Sequence, residues 1–332
     1  MTPNITIDRP AARRRTDLVG WLARYGTITS LIGLLLLFSV ARPDVFPTLN
    51  NILTILNQVS ILGVMAFGLT VCLVMGLFDL SIAAMATLGG YLATYALVTF
   101  PAVVSTPMAM LGSLVIAALI GVLNGVLVSY AGISAFIGTL AVGSIISGAM
   151  LGISDSHTII SGIPDDFMIL GQADLAGIPL PVLVAASVSF LLWLLLEHTQ
   201  PGRNLYAIGG NAEASRLAGL AVKRYALLAL AISACCAGLG GLIAASNLGA
   251  GRPQGVGDSY LLNAFAASFI GASTLRPGKF HMAGTVIGVL LIGVINNGLS
   301  IMGVPTFWQY IVQGLLLIAA LFSAGMIVMR RR

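Results

Sequence analysis

Charge is scarce in this sequence. Asp, Glu, Lys and Arg make up 8% of its 332 residues, against about 25% in soluble domains, which excludes a water-soluble fold. Cysteine is nearly absent too. Cys72, Cys235 and Cys236 all fall inside apolar segments without metal-ligand spacing; adjacent cysteines rarely pair, so these read as small core residues. His157, His198 and His281 are scattered over different loops, with no helical pair for a metal. No serine or cysteine lies in a nucleophile motif. The loop GASTLRPGKF (271–280) puts six residues between Gly271 and Gly278 and follows Lys279 with Phe280, whereas a phosphate-binding loop reads GxxxxGK[ST]. No enzyme, metal site or bound cofactor is expected of this chain.

What is present is hydrophobic: 58% of residues, with a mean hydropathy of +1.01. Long apolar blocks predict an all-α polytopic membrane protein. About ten transmembrane helices are expected, near 25–41, 52–77, 80–100, 108–129, 134–153, 179–197, 225–247, 259–273, 282–302 and 307–328. The eighth is short for a bilayer that needs about 20 residues. Residues 27–41, ending in SVA, imitate a signal peptide, but the spans that follow favour an uncleaved first span. The expected organisation is a basic tail (1–24), one transmembrane domain (25–328) with a polar segment at 198–224, and a basic tail (329–332).

Orientation follows from the cations. With a cytoplasmic N-terminus, Arg9, Arg13, Arg14, Arg15, Arg24, Arg203, Arg216, Lys223, Arg224, Arg276, Lys279 and Arg330 to Arg332 fall inside; only Arg42 and Arg252 fall outside. That asymmetry obeys the positive-inside rule and places both termini in the cytoplasm. The net charge of +5 gathers at the termini beside spans, which reads as membrane anchoring and not as a nucleic-acid surface.

Residues 119–124 read LIGVLN and residues 291–296 read LIGVIN, an offset of 172. The fourth span descends where the ninth ascends, as an inverted-topology repeat of spans 2–5 and 7–10 requires. Asp79 and Asp258 form a possible second matched pair. Chance matching of glycine- and leucine-rich helices is the competing account.

Polar residues within the spans have two readings each. Asp79 either caps the third span or faces a water-filled path. Asn124, Asn296 and Asn297 either line a path or bond between helices, and Asn263 lies in the short span, where interrupted helices mark binding sites. In the 154–178 loop, Asp165 and Asp166 are either docking points or solvated acids.

The segment 206–224 is the exception in an apolar chain. Asn211 is a good N-cap, Glu213 suits the first turn, Arg216 shares its face, and Gly219 supplies a stop. A helix over about Ala212 to Ala218 is predicted. It is too short to be stable alone in water, so a partner surface is expected; an ordinary solvated loop is the alternative.

That stretch, YAIGGNAEASRLAGLAV (206–222), resembles the cytoplasmic coupling segment of ABC-importer permeases of the ribose/monosaccharide type. Similar to other elements of that family are FPTLNNILTILNQVSILGVMAFGLT (46–70), FDLSIAA (78–84) and NGVLVSYAGISAFIGTLAVGSIISG (124–148). RPGKFHMAGTVIGVLLIGVINNGLSIMGV (276–304) and FWQYIVQGLLLI (307–318) are as well. The likeness runs from about 46 to 325, with LLNAFAA (261–267) departing from an acidic family pattern.

The resemblance implies a translocation subunit that moves a sugar or sugar-like solute across a bacterial inner membrane. Its implied partners are separate ABC ATPase subunits holding ATP and magnesium, an extracytoplasmic solute-binding protein and a second permease copy or homologue within the lipid bilayer. The implied coupling residues are Gly209, Gly210, Asn211, Glu213, Ala214, Arg216, Leu217 and Gly219. Ser81 and Phe136, from the matching stretches, join Asp79, Asn124, Asn263, Asn296 and Asn297 as path candidates. The competing functions are an ion-coupled secondary transporter, which would need a relay of buried ionisable groups, a membrane-embedded enzyme, and a structural scaffold.

Overall fold

The computed structural model of the chain describes residues 18–329. The clusters Arg13-Arg14-Arg15 and Arg330-Arg331-Arg332, and with them most of both expected basic tails, lie outside the described residues. In chain order the elements begin with α1 (Leu18–Ala41), α2 (Leu49–Val74), α3 (Ile82–Thr99), α4 (Thr106–Ser129) and α5 (Ala135–Ser154). There follow α6 (Asp165–Gln172), the two-residue strands β1 (Asp174–Leu175) and β2 (Ile178–Pro179), and α7 (Leu180–His198). The chain continues through α8 (Gln200–Gly210), α9 (Ala212–Leu217), α10 (Val222–Leu248), α11 (Asp258–Ala272), α12 (Met282–Ile301) and α13 (Thr306–Met329).

Seven of these helices, α2, α3, α4, α5, α7, α10 and α12, are long and apolar enough to cross a membrane. Local chemistry sets their ends. The Thr48 hydroxyl accepts from the Asn51 amide to start α2, and Pro107 and Pro181 occupy first turns, where a missing N–H costs nothing. Gly249 takes a left-handed φ of +59° to stop α10.

Burial divides the bundle into an inner and an outer layer. Along α2, α3, α10 and α12, 67–72% of the apolar window is buried; along α4, α5 and α7 it is 22–33%. The outer helices keep apolar faces turned outward, Leu111, Ile137, Ile145 and Phe190 among them, as lipid-facing helices do. At the centre α10 packs on α2, α3 and α4. It comes close because small residues face each other: at Gly241 an added Cβ would overlap the Ala86 carbonyl oxygen. Small-residue contacts of this kind let helix backbones touch inside a membrane.

The helices after α9 repeat the order of those before α6. α2, α3, α4 and α5 shifted by 172 residues fall on α10, α11, α12 and α13 to within a few residues. The packing repeats too, with the first helices exchanged: α10 packs on α3 and α4, and α2 packs on α11 and α12. One contact shows the correspondence residue by residue. Gly121 of α4 abuts Ala231 of α10, and Gly293 of α12 abuts Val59 of α2; 121 plus 172 is 293, and 59 plus 172 is 231. Asp79 and Asp258 do not correspond in this way, since Asp79 is fully buried and Asp258 is exposed in the first turn of α11.

The connections gather at opposite ends. At one end α8 packs on α2 and α7, and the 273–281 loop reaches α7 through Arg276 and Glu197. At the other, Ile159 bridges Gly251, Gln172 reaches the end of α10, and β1 pairs antiparallel with β2, Asp174 opposite Pro179. The charge distribution assigned the first group to the cytoplasm and the second to the outside, so each group is spatially coherent.

Candidate functional site

The polar segment folds as two helices and not one. α8 forms although QPGRNLYAIGG is rich in glycine, because its apolar face has somewhere to go. Leu205 and Ile208 are buried against the bundle, and the Thr199 hydroxyl accepts from the Gly202 amide at its start. Sequence reasoning placed no helix over α8, whose Gly202 and Gly209 serve close packing. At Gly209 an added Cβ would overlap the Val74 carbonyl oxygen at the end of α2, whereas Gly210 faces open space.

Asn211 ends α8 and starts α9, its side-chain oxygen accepting from the Ala214 amide at 2.9 Å. α9 runs Ala212–Leu217, one residue short of expectation. Arg216 donates to both carboxylate oxygens of Glu213, at 3.1 and 2.6 Å, and these bonds hold the Glu213 carboxyl below its ordinary range. Gly219 takes a φ of +85°, and the Leu220 amide bonds back to the Ser215 carbonyl, closing a Schellman turn. Ser215 is buried, while Leu217, an apolar side chain, is 76% exposed. The candidates Asn211, Glu213, Ala214, Arg216 and Leu217 thus form one projecting tip, with Gly209 beneath it against the bundle.

Three contacts link α8, α7, α10 and the 273–281 loop around the base of this tip. Asn204 of α8 donates to the Tyr225 hydroxyl of α10 at 2.6 Å. Tyr206 of α8 donates to Glu197 of α7 at 3.3 Å. Arg276, in the loop between α11 and α12, donates to both oxygens of the same Glu197 at 2.7 and 2.8 Å. Burial, and then the neighbouring Glu197, push the Tyr206 hydroxyl pKa up, so it stays a donor. A groove of about 670 Å³ opens here, lined by Arg203, Tyr206, Gly209 and Lys279 among others.

The path candidates separate into four places. Asp79 lies in a non-helical segment between α2 and α3, beside α10, where Ser233 faces its carboxylate. Ser233 is eleven residues, or three turns, into α10, so Asp79 is inside the bundle; non-helical backbone is tolerated there when enclosed by protein. One Asp79 oxygen accepts from the Ser81 amide and hydroxyl at 3.0 and 2.6 Å, and the Ser81 hydroxyl accepts from Asn124 at 3.0 Å. Three candidates are therefore one buried network. The other Asp79 oxygen and the Asn124 carbonyl oxygen have no hydrogen-bond partner among the described residues.

Asn263 and Asn296 come together in a small polar pocket of about 190 Å³ with Gln309 and Gln313, where Gln313 donates to Asn296 at 3.0 Å. Asn297 points elsewhere, donating to Asn51 of α2 at 3.0 Å. Phe136 stands apart from all of these, exposed on α5. Asp165 and Asp166 are exposed in the first turn of α6.

Comparison with known proteins covers nearly the whole chain. The family model described as "Branched-chain amino acid transport system / permease component" matches residues 51–321. The D-allose transport system permease protein of Escherichia coli K12 is 36% identical over 297 residues, 90% of each chain. The ribose import permease protein of Bacillus subtilis 168 is 34% identical over 309 residues, 93% of this chain and 94% of the relative. The ribose import permease protein of Escherichia coli K12 is 31% identical, covering 92% and 95%. No solved structure matches.

Proposed function

This chain belongs to the family of branched-chain amino acid transport system permease components, and from that premise we propose the role it plays and the parts that carry it. It is the membrane-spanning subunit of an ATP-binding-cassette importer for a monosaccharide-type solute, a multi-pass protein of the bacterial cell membrane. The family description names amino acids, while the relatives of 31–36% identity are permeases for allose and ribose. The likeness along the full chain to those relatives favours sugar.

The observation that carries the coupling role is the α8–α9 tip. It projects from the bundle with an exposed Leu217 and a self-paired Glu213–Arg216, yet its base is packed on α2 and hydrogen-bonded to α7 and α10. A separate ATPase subunit, holding ATP and magnesium, docks on this tip. Its closure pushes on α2 through Gly209 and on the 273–281 loop through Tyr206, Glu197 and Arg276. The other partners are a second permease and an extracytoplasmic binding protein delivering solute at the α6 and hairpin end.

Ten spans with both termini cytoplasmic, and two inverted halves at residues 49–154 and 222–329, complete the reading. The 172-residue correspondence of helix order and of the Gly121 and Gly293 contacts supports the repeat. An ion-coupled mechanism finds no comparable support. Among the described residues the buried carboxylates and imidazoles are Asp79 and His281, and they do not form a relay.

The test is co-expression with the neighbouring ATPase, comparing wild type with Arg216→Glu and Gly210→Trp. Both variants should insert but lose complex formation or substrate-stimulated ATP hydrolysis. Full uptake by either variant, or by cells lacking the ATPase, would sink the proposal.

A further inference from the structure

A polar cavity of about 810 Å³ contains none of the path candidates discussed above. It opens at the end of the bundle opposite α8 and α9, between the first half of α2, the end of α10, the start of α11 and the β1–β2 hairpin. On α2 its lining residues Asn50, Thr54, Asn57, Gln58 and Ile61 fall at helical spacing, so they share one face. Carboxamides on a membrane helix ordinarily bond to a neighbouring helix. These do not: Asn50, Asn57 and Gln58 make no side-chain hydrogen bond among the described residues, and the Asn57 carbonyl oxygen is enclosed without a partner.

Across the cleft, Gln172 donates to the Ser246 and Asn247 carbonyls, and Asn247 donates to the Gly171 carbonyl. Those bonds use the NH₂ groups and hold both side chains in place, leaving their carbonyl oxygens to accept. Tyr260 adds an aromatic ring to the wall. No Lys, Arg or His lines the cleft, and Asp174, exposed on the hairpin, is its one charged residue.

We propose that this amide-lined cleft is a recognition site within the permease itself for a neutral polyhydroxylated solute, an uncharged monosaccharide in class. A carboxamide carries two donors and an acceptor, so adjacent amides pair with vicinal hydroxyls, which also donate and accept. An anion finds no cation here. An apolar solute would strand the enclosed Asn57 oxygen and its neighbours without hydrogen bonds, at a cost in binding. The cavity lies within the usual volume range of small-molecule sites, 300 to about 1,000 Å³. The inference rests on the transport role proposed above, and it adds that the binding protein does not do all of the choosing.

The test uses the complete complex of permease, ATPase and binding protein in proteoliposomes, with radiolabelled D-ribose, D-allose and D-xylose each supplied in turn. Asn57→Leu, Gln58→Leu and Asn247→Leu should each lower the solute moved per ATP hydrolysed by about tenfold, the loss of one to two hydrogen bonds. Binding-protein-stimulated ATP hydrolysis should stay within about twofold of wild type, because the coupling tip is at the other end. An unchanged ratio of transport to hydrolysis in all three overturns the cleft proposal and leaves the transport role standing. A wild-type complex that moves none of these sugars overturns the transport role instead. Should the leucine variants not assemble, Gln58→Cys decides: a bulky charged thiol reagent added outside should label it, and the transported sugar should slow that labelling. Labelling at the same rate with and without sugar overturns the proposal.

Discussion

Gly209 lies against the carbonyl oxygen of Val74, so the last turn of α8 meets the last turn of α2 backbone to backbone. Nothing compressible stands between the α8–α9 tip and a central helix. Force applied at α9 reaches the bundle core without being absorbed by side-chain rearrangement.

Gly209→Ala should therefore separate two helices that now touch. An overpacked contact against backbone costs about 1–3 kcal/mol, so the variant should show a lower melting temperature and lose most uptake. Gly210→Ala, one residue on in open space, should leave melting unchanged. Equal melting of the two variants would show that α8 does not sit on α2 as described.

Breaking the Glu197 cluster should uncouple without unfolding. Arg276→Ala removes both bonds to Glu197, but the Arg276 side chain is 54% exposed, and exposed pairs contribute about 0–1 kcal/mol after solvent screening. Melting should scarcely move, while transport per ATP hydrolysed falls and trypsin cuts faster at Lys279 as the loop loosens. Unaltered cleavage would mean the loop is held by other contacts.

The two corresponding glycines should respond unequally. A methyl at Gly121 would overlap backbone, the Leu230 carbonyl and the Ala231 Cα; at Gly293 it would overlap the Val59 side chain. Side chains can be trimmed and backbone cannot. Gly121→Ala should be the more destabilising, and Val59→Ala should rescue Gly293→Ala in a double variant. Thermal unfolding of the four proteins in detergent measures both effects.

Stability should fall with acid through His281. Burial holds this imidazole below its ordinary pKa, although its contact with the Lys279 carbonyl pulls the other way. A group depressed in the folded state is stabilising above its unfolded pKa, about 6.5 for histidine. That contribution is lost as pH falls through the lower folded value. His281→Asn should flatten the slope of melting temperature against pH in this window, and an identical slope would assign it elsewhere.

The long helices were legible because bilayer length and hydropathy leave few choices: α4, expected at 108–129, runs Thr106–Ser129. α9 was legible from Asn211, Glu213, Arg216 and Gly219, whose chemistry is local. α8 was not, because what stabilises it is the burial of Leu205 and Ile208 against distant helices. The same limit applied to the site. Asp79, Ser81 and Asn124 were singled out separately, but that the Asn124 amide reaches the Ser81 hydroxyl is a property of packing. The amide cleft escaped notice because Gln172, Asn247 and Tyr260 join α2 from three remote segments. Asn57 and Gln58 inside an apolar span were the signal available.

The exchange of α2 and α10 limits what can move. Each half of the chain holds the other's leading helix, like two hands clasped with thumbs crossed. Neither half can swing aside without dragging a helix out of a backbone-tight seat. On the transport role proposed above, opening and closing are expected at the chain's periphery: against the proposed second permease, and in the segment formed by α8, α9 and the 273–281 loop. Spin labels on α4 and α12 of one subunit should keep their separation through the ATP cycle, while the same labels on neighbouring subunits change theirs.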